Sequence, residues 1–202
     1  MGAGAELFGA HGFEGVRVER IAAQAGVNKA MISYHFGGKQ GLYVEIIEEL
    51  FSGIGADLEA LARSPAPAPE RLRALVGAIA SHSRRHPGFP AMLIREVISG
   101  GRLIGDSLLP RLLAVFEGVR GILEAGVAEG SLRPVDPILT HLMVVGSLVF
   151  FLASAPMRAR MVRAGMLPSG VEPPTPEAFV VHVQELLARG LAARPATSPS
   201  RR

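Results

Sequence analysis

GFEGVRVERIAAQAGVNKAMISYHFGGKQGLY, residues Gly12 to Tyr43, is the stretch that decides the fold. It reads as two short helices joined by the turn Ala25-Gly26-Val27-Asn28, with a third helix following at once. Gly26 can take the positive φ that ends a helix without a Cβ penalty. Asn28 is a good N-cap for the next helix, expected over Asn28 to Phe36. That helix places Ile32 and Phe36 on one face and Lys29, Ser33 and Tyr34 elsewhere. A short helix with a buried seam and a polar outer face is what a helix-turn-helix needs to enter a DNA major groove.

Outward from this stretch the chain reads as helix throughout, with no strand pattern and no internal repeat. A first helix is expected over Ala3 to His11, with Leu7 and Phe8 inward. A second is expected over Val18 to Gln24, with Val18, Ile21, Ala22 and Ala25 at core spacing. From Lys39 or Gln40 to Ala62, Leu42, Tyr43, Ile46, Ile47, Leu50, Phe51, Ile54, Leu58 and Leu61 form a long apolar stripe. Ser64 to Pro69, with alternating prolines, is expected to be non-helical. Further helices are expected over 70–85, 91–99, 106–128, 136–155 and 176–192, with a short one near 157–164. The expectation is an all-α chain of about nine helices: a helix-turn-helix unit over 1–47, a larger helical unit over 48–192 and a disordered tail over 193–202.

Composition narrows the function classes. A chain of 202 residues with 49% apolar residues can bury a sizeable core. With no cysteine, a disulfide framework, an iron–sulfur cluster and a cysteine-based zinc site are excluded. The net charge of +3 is mild, yet both lysines of the chain, Lys29 and Lys39, fall in the helix-turn-helix segment. No secretory signal pattern opens the chain, so the cytoplasm is the expected compartment.

The ordered set Ala5-Glu6-Leu7-Phe8, Gly12-Phe13, Ile21-Ala22, Ala25-Gly26-Val27, Tyr34-His35-Phe36, Lys39 and Leu42-Tyr43 resembles the DNA-binding domain of the tetracycline-repressor (TetR) family of bacterial regulators. His86-Pro87-Gly88-Phe89-Pro90 through Arg95-Glu96, then Leu109-Pro110-Arg111-Leu112, resembles the effector domain of some members. The resemblance implies that Asn28, Lys29, Ala30, Ser33, Tyr34, His35 and Lys39 face double-stranded DNA. Ser33 would read a base, whereas Tyr34, His35 and Lys39 would hold phosphates. Val16 stands where the family often has a threonine that caps the second helix and touches phosphate. Met31 stands where a polar residue is common, and it offers a thymine methyl an apolar contact instead. The first helix looks shorter than the family's, which suggests a native start upstream of Met1.

The same resemblance implies a homodimer reading a near-palindromic operator, and a small-molecule effector. Pocket candidates are Phe89, Met92, Arg95, Phe116 and His141. Dimer candidates on the helices over 136–155 and 176–192 are Leu142, Val145, Val149, Phe179, Val183 and Leu186; the same residue types would serve a plain core. The implied function is a non-enzymatic transcriptional regulator, a repressor released by a largely apolar effector, with no cofactor, metal or membrane partner. The alternative is a helical ligand-binding or membrane-associated protein with a vestigial helix-turn-helix.

Three rival signals are weaker. Ile138 to Ala155 is near the minimum length for a membrane span but holds His141. Gly105-Asp106-Ser107-Leu108 matches a hydrolase nucleophile motif, but no strand precedes it; Asp106 and Ser107 read better as helix caps. His82 and His86 have the spacing of two ligands on one helix face, with no third ligand nearby.

Overall fold

The computed structural model describes residues 1–168 and 170–193, apart from the side chains of Ser107 and Leu108. The tail expected over 193–202 lies outside the described residues from position 194 on, and so does the side chain of Ser107. Among the described residues there are ten α-helices. They are α1 (Gly2–His11), α2 (Val18–Ala25), α3 (Lys29–Phe36), α4 (Lys39–Arg63), α5 (Ala68–Arg85), α6 (Phe89–Ile98), α7 (Leu108–Ala128), α8 (Pro137–Ala153), α9 (Ala155–Arg163) and α10 (Pro176–Leu191). A single 3-10 turn, Gly105–Ser107, leads into α7. The only β feature among the described residues is an isolated antiparallel bridge between Leu132 and Ala192.

The turn between α2 and α3 forms from local chemistry. Gly26 sits at φ 67° and ψ 28°, and its N–H reaches the carbonyls of Ala22 and Ala23. The Asn28 side chain accepts from the Ala30 N–H at 2.9 Å, which satisfies a donor that a helix start leaves free. Ala25, expected in the core, is exposed at the last position of α2. Ile21, Ala22 and Ile32 close the small core against Leu7, Phe8, Leu42 and Tyr43. The rings of Phe8, Phe13 and Tyr43 meet at 5.0–5.9 Å.

Helix α4 carries that core into the rest of the molecule. Its first turns hold Leu42, Tyr43, Ile46 and Ile47 against the helix-turn-helix; later turns bury Leu50, Phe51, Ile54 and Leu58. Each fully buried side chain of this size contributes about 1.5–3 kcal/mol of transfer free energy.

The proline-rich connection is shorter than its composition suggests. Helix α5 starts at Ala68, with Pro69 in its first turn, where a missing N–H costs nothing. The Glu129 carboxylate takes the Ala68 N–H at 3.0 Å and the Arg71 guanidinium at 2.7 Å. The Ala68 amide, and beyond it Arg71, hold the Glu129 carboxyl below its usual range. The apolar run that begins at Ile138 breaks at Ser154, where α8 and α9 meet at a bend of 49°. Among the described residues no single helix is long and apolar enough to cross a membrane.

Candidate nucleic-acid interface and interior cleft

On α3 only Ile32 is buried, and Phe36 is half-buried. Lys29, Ala30, Met31, Ser33, Tyr34 and His35 all face solvent. Tyr34 is 83% exposed, a state that no packing role explains for a large aromatic ring. Its ring meets His35 edge-on at 5.0 Å, which fixes both near the C-terminal end of the helix. The Lys29 ammonium lies 3.3 Å from the Glu19 carboxylate of α2, with both side chains 64% exposed. Backbone hydrogen bonding and then Lys29 pull the Glu19 carboxyl down. This solvated pair can open to let Lys29 reach another anion. Lys39 holds its ammonium 4.2 Å above the Phe13 ring, so its position is set by a cation–π contact. The seven residues expected at DNA therefore share one end of the molecule, six on α3 and its cap, with Lys39 opening α4.

Val16 is a correction. It is 1% exposed and belongs to the core, so it does not occupy a capping position. The N-cap of α2 is Arg17, exposed and with no side-chain capping bond. Arg17 escapes a reading of the sequence because arginine is not a capping residue type. The signal that could have found it is its place, one residue ahead of the first core position Val18.

The rear half holds a narrow interior cleft of about 40 Å³. Its walls include Phe51, Ile54, Ile79, Phe89, Leu93, Leu112, Val145 and Val149, with Ser83 and His141 as the polar members. The Ser83 hydroxyl donates to the Ile79 carbonyl at 2.9 Å. His141 meets Phe116 edge-on at 5.6 Å, and its Nδ1 is buried without a partner. Burial pushes the His141 imidazole below its usual pKa.

The pocket candidates divide. Phe89 and His141 line the cleft. Phe116 stands behind His141, and Met92 is fully buried without lining the cleft. Arg95 points the other way, donating to the Phe8 and Gly9 carbonyls at 3.2 and 2.9 Å. It caps α1 from α6, where a cation meets the negative end of the helix dipole. The dimer candidates divide too. Leu142 and Leu186 are 60% and 58% exposed. Val145 and Val149 instead line the cleft, Val183 is buried, and Phe179 stacks flat on Phe151 at 4.0 Å. The outer face of α8 is carried by Leu139, Met143 and Phe150 with Leu142, at helical spacing.

Helix α6 joins the two regions. Phe89 and Leu93 face the cleft, whereas Arg95 and Glu96 face the helix-turn-helix. The Tyr43 hydroxyl donates to the buried Glu96 carboxylate at 2.9 Å. Burial, and then Glu96, pushes the Tyr43 phenol pKa up. Ahead of α6, Gly88 crosses Gly9 so closely that a Cβ on Gly9 would lie 2.3 Å from the Gly88 Cα.

A family model for bacterial regulatory proteins of the tetR family matches residues 1–46, and one for a tetracyclin repressor-like C-terminal domain matches residues 69–169. The chain belongs to the TetR family. The HTH-type transcriptional repressor NicS of Pseudomonas putida is 34% identical over 153 residues, spanning 74% of this chain and 71% of that protein. The TetR-family regulator PfmR of Thermus thermophilus superposes with a TM-score of 0.71 at 25% identity, covering 92% of this chain and 94% of that one. FadR of Bacillus subtilis, solved in complex with stearoyl-CoA, shares the fold with a TM-score of 0.72 at 20% identity, covering 93% and 95%. This TetR-family chain is thus a DNA-binding transcriptional regulator with an all-helical fold.

Proposed function

We propose that the protein is a homodimeric repressor that leaves its operator when a largely apolar small molecule occupies the interior cleft, acting by binding rather than by catalysis. The observation that carries the DNA contacts is the outer face of α3, where Tyr34 stands 83% exposed beside Ser33 and His35. Asn28 and the first amides of α3 offer a helix N-terminus to phosphate, and Lys29, Lys39 and Arg17 offer cations. Ala30 keeps the helix close to the duplex, and Ser33 meets base edges. The DNA-binding unit spans 1–47 and the effector unit 48–192. The cytoplasm is the compartment this function requires.

The dimer reading rests on the exposed apolar stripe of α8, continued by Leu186 and Val181 on α10. Such a stripe is costly to leave in water, and a two-fold copy covers it with itself. A dimer then presents two α3 helices to half-sites about one helical turn apart. Coupling runs through α6, because a cleft that opens moves Phe89 and Leu93 on the helix that also carries Arg95.

The test is a fluorescence-anisotropy titration against the DNA flanking the protein's own gene, with a salt series and scrambled competitor. Specific binding that weakens steeply with salt is expected. Binding that competitor abolishes equally at all salts would end the reading. Sedimentation of the free protein tests the dimer, and a monomer at micromolar concentration would overturn that part.

A further inference from the structure

We infer that Met31 selects operator sequence without a hydrogen bond, by packing its thioether side chain on the C5-methyl group of a thymine in each half-site. The inference rests on the proposed placement of α3 in the major groove and names the base chemistry that this face selects.

Exposure sets Met31 apart. Between Met1 and Glu96 the large apolar side chains left exposed are Met1, Val27, Met31 and Tyr34, and three of these four belong to α3 or to the turn before it. Met31 is 46% exposed and lies outside the core, whereas Ile32, the next residue, is 4% exposed. A single exposed methionine scattered on a surface is ordinary. A cluster confined to the helix proposed to enter DNA is not, because the rest of that helix is lined with hydrogen-bonding groups.

Its position on the helix sets it apart again. Successive residues of an α-helix are turned by about 100°. Ile32 and Phe36 mark the side of α3 that meets the core. Ala30, Met31 and Tyr34 fall on the opposite side, with Lys29 and Ser33 on one flank and His35 on the other. Lys29 holds Glu19 of α2. The side of α3 that points furthest out is therefore mostly carbon, with polar groups along its borders. Ala30 ends at its Cβ, and Tyr34 carries a hydroxyl at its tip. Met31 is the one long, wholly apolar side chain there.

The chemistry of the groove says what such a side chain can read. Base edges in the major groove present donors and acceptors, and the thymine C5-methyl is the apolar group among them. An apolar side chain set against the cytosine amino group or the guanine O6 strips water and returns no bond, which counts against G·C at that position. Against thymine it meets a methyl group, and an unbranched thioether adapts its shape to that contact. Met31 thus favours T·A and rejects G·C at one place, while the phosphate contacts of the lysines carry no sequence information.

Duplexes are first selected from a random pool by the full-length protein. Each thymine of the selected half-site is then replaced by deoxyuridine, which removes the methyl and keeps every hydrogen-bonding group. Affinity is read by fluorescence anisotropy. One thymine position per half-site should lose about three- to fivefold on this change, the worth of one buried methyl. Met31→Ala should abolish that discrimination, and Ser33→Ala should leave it intact. The melting curve of Met31→Ala should match the parent, because the side chain is exposed. Deoxyuridine tolerated at every position, or a penalty that survives in Met31→Ala, would overturn the inference. If Lys29→Ala still lowers affinity in those cases, α3 stays at the DNA and only the thymine reading falls. If neither deoxyuridine nor Lys29→Ala changes affinity, or no sequence is selected, the placement of α3 falls with it.

Discussion

The outer face of α3 and the interior cleft treat polar atoms in opposite ways. On α3 the polar atoms of Ser33, Tyr34 and His35 lie in water, and losing them costs the fold little. Beside the cleft the Nδ1 of His141 lies dry and unpaired, and the fold tolerates it at a cost. The difference shows how one chain can carry two binding surfaces of unlike chemistry. DNA arrives hydrated and highly charged, so the surface proposed to meet it is wet and built from hydrogen-bonding side chains. A hydrocarbon ligand would gain from desolvation, so the cleft proposed to take it is walled by core residues.

The comparison breaks first at the contact that ties the two regions together. Gly9→Ala forces a methyl into the Gly88 backbone, and stability should fall by about 3 kcal/mol or more, measured by urea denaturation. A loss below about 1 kcal/mol would show that the crossing is loose. Next, Lys29→Ala should weaken operator binding and reduce the salt slope by about one, with stability within about 0.5 kcal/mol of the parent. Tyr34→Phe should weaken operator binding by about two- to tenfold, the worth of one hydrogen bond, and leave the melting curve unmoved. An equal fall in stability would return both residues to a structural role.

Smaller effects sharpen the interior side. Arg95→Met should cost about 1 kcal/mol, because the Phe8 and Gly9 carbonyls lose their donor. It should also weaken the effect of a cleft ligand on DNA affinity more than it weakens ligand binding. His82 is buried with both ring nitrogens unpaired, and burial, aided by His86 and Arg85, lowers its pKa. The folded state therefore binds fewer protons than the unfolded state, so stability declines as pH falls through about 6.5. His141, lowered in the same way, adds to that slope. His82→Leu should flatten the slope and be neutral or stabilising by about 1 kcal/mol at pH 7, measured by thermal denaturation from pH 5 to 8.

What could be read from the sequence was what is decided locally. Gly26 and Asn28 fix the α2–α3 turn with contacts at most four residues away, and both stand out in the chain. Asp136 and Thr175 mark the starts of α8 and α10 through bonds to amides three residues on. The start of α5 was hidden, because its capping carboxylate, Glu129, lies 61 residues from Ala68. The cleft was half legible. Phe89 and His141 stood out as aromatic and polar residues in apolar stretches, yet Arg95 fits the same description. What sends Arg95 to α1 is a pair of carbonyls 86 and 87 residues away. The faces of α8 were misassigned for a related reason. Its composition is apolar all round, so periodicity does not separate the valines on the cleft from the leucines facing out.

The glycine crossing of α1 beneath α6 has a mechanical consequence. Where two backbones meet with only hydrogens between them, there is no side chain to flex and no gap to close. The contact can turn, but it cannot be squeezed. Gly9 and Gly88 thus form a rigid backbone contact through which α1 and the start of α6 bear directly on one another.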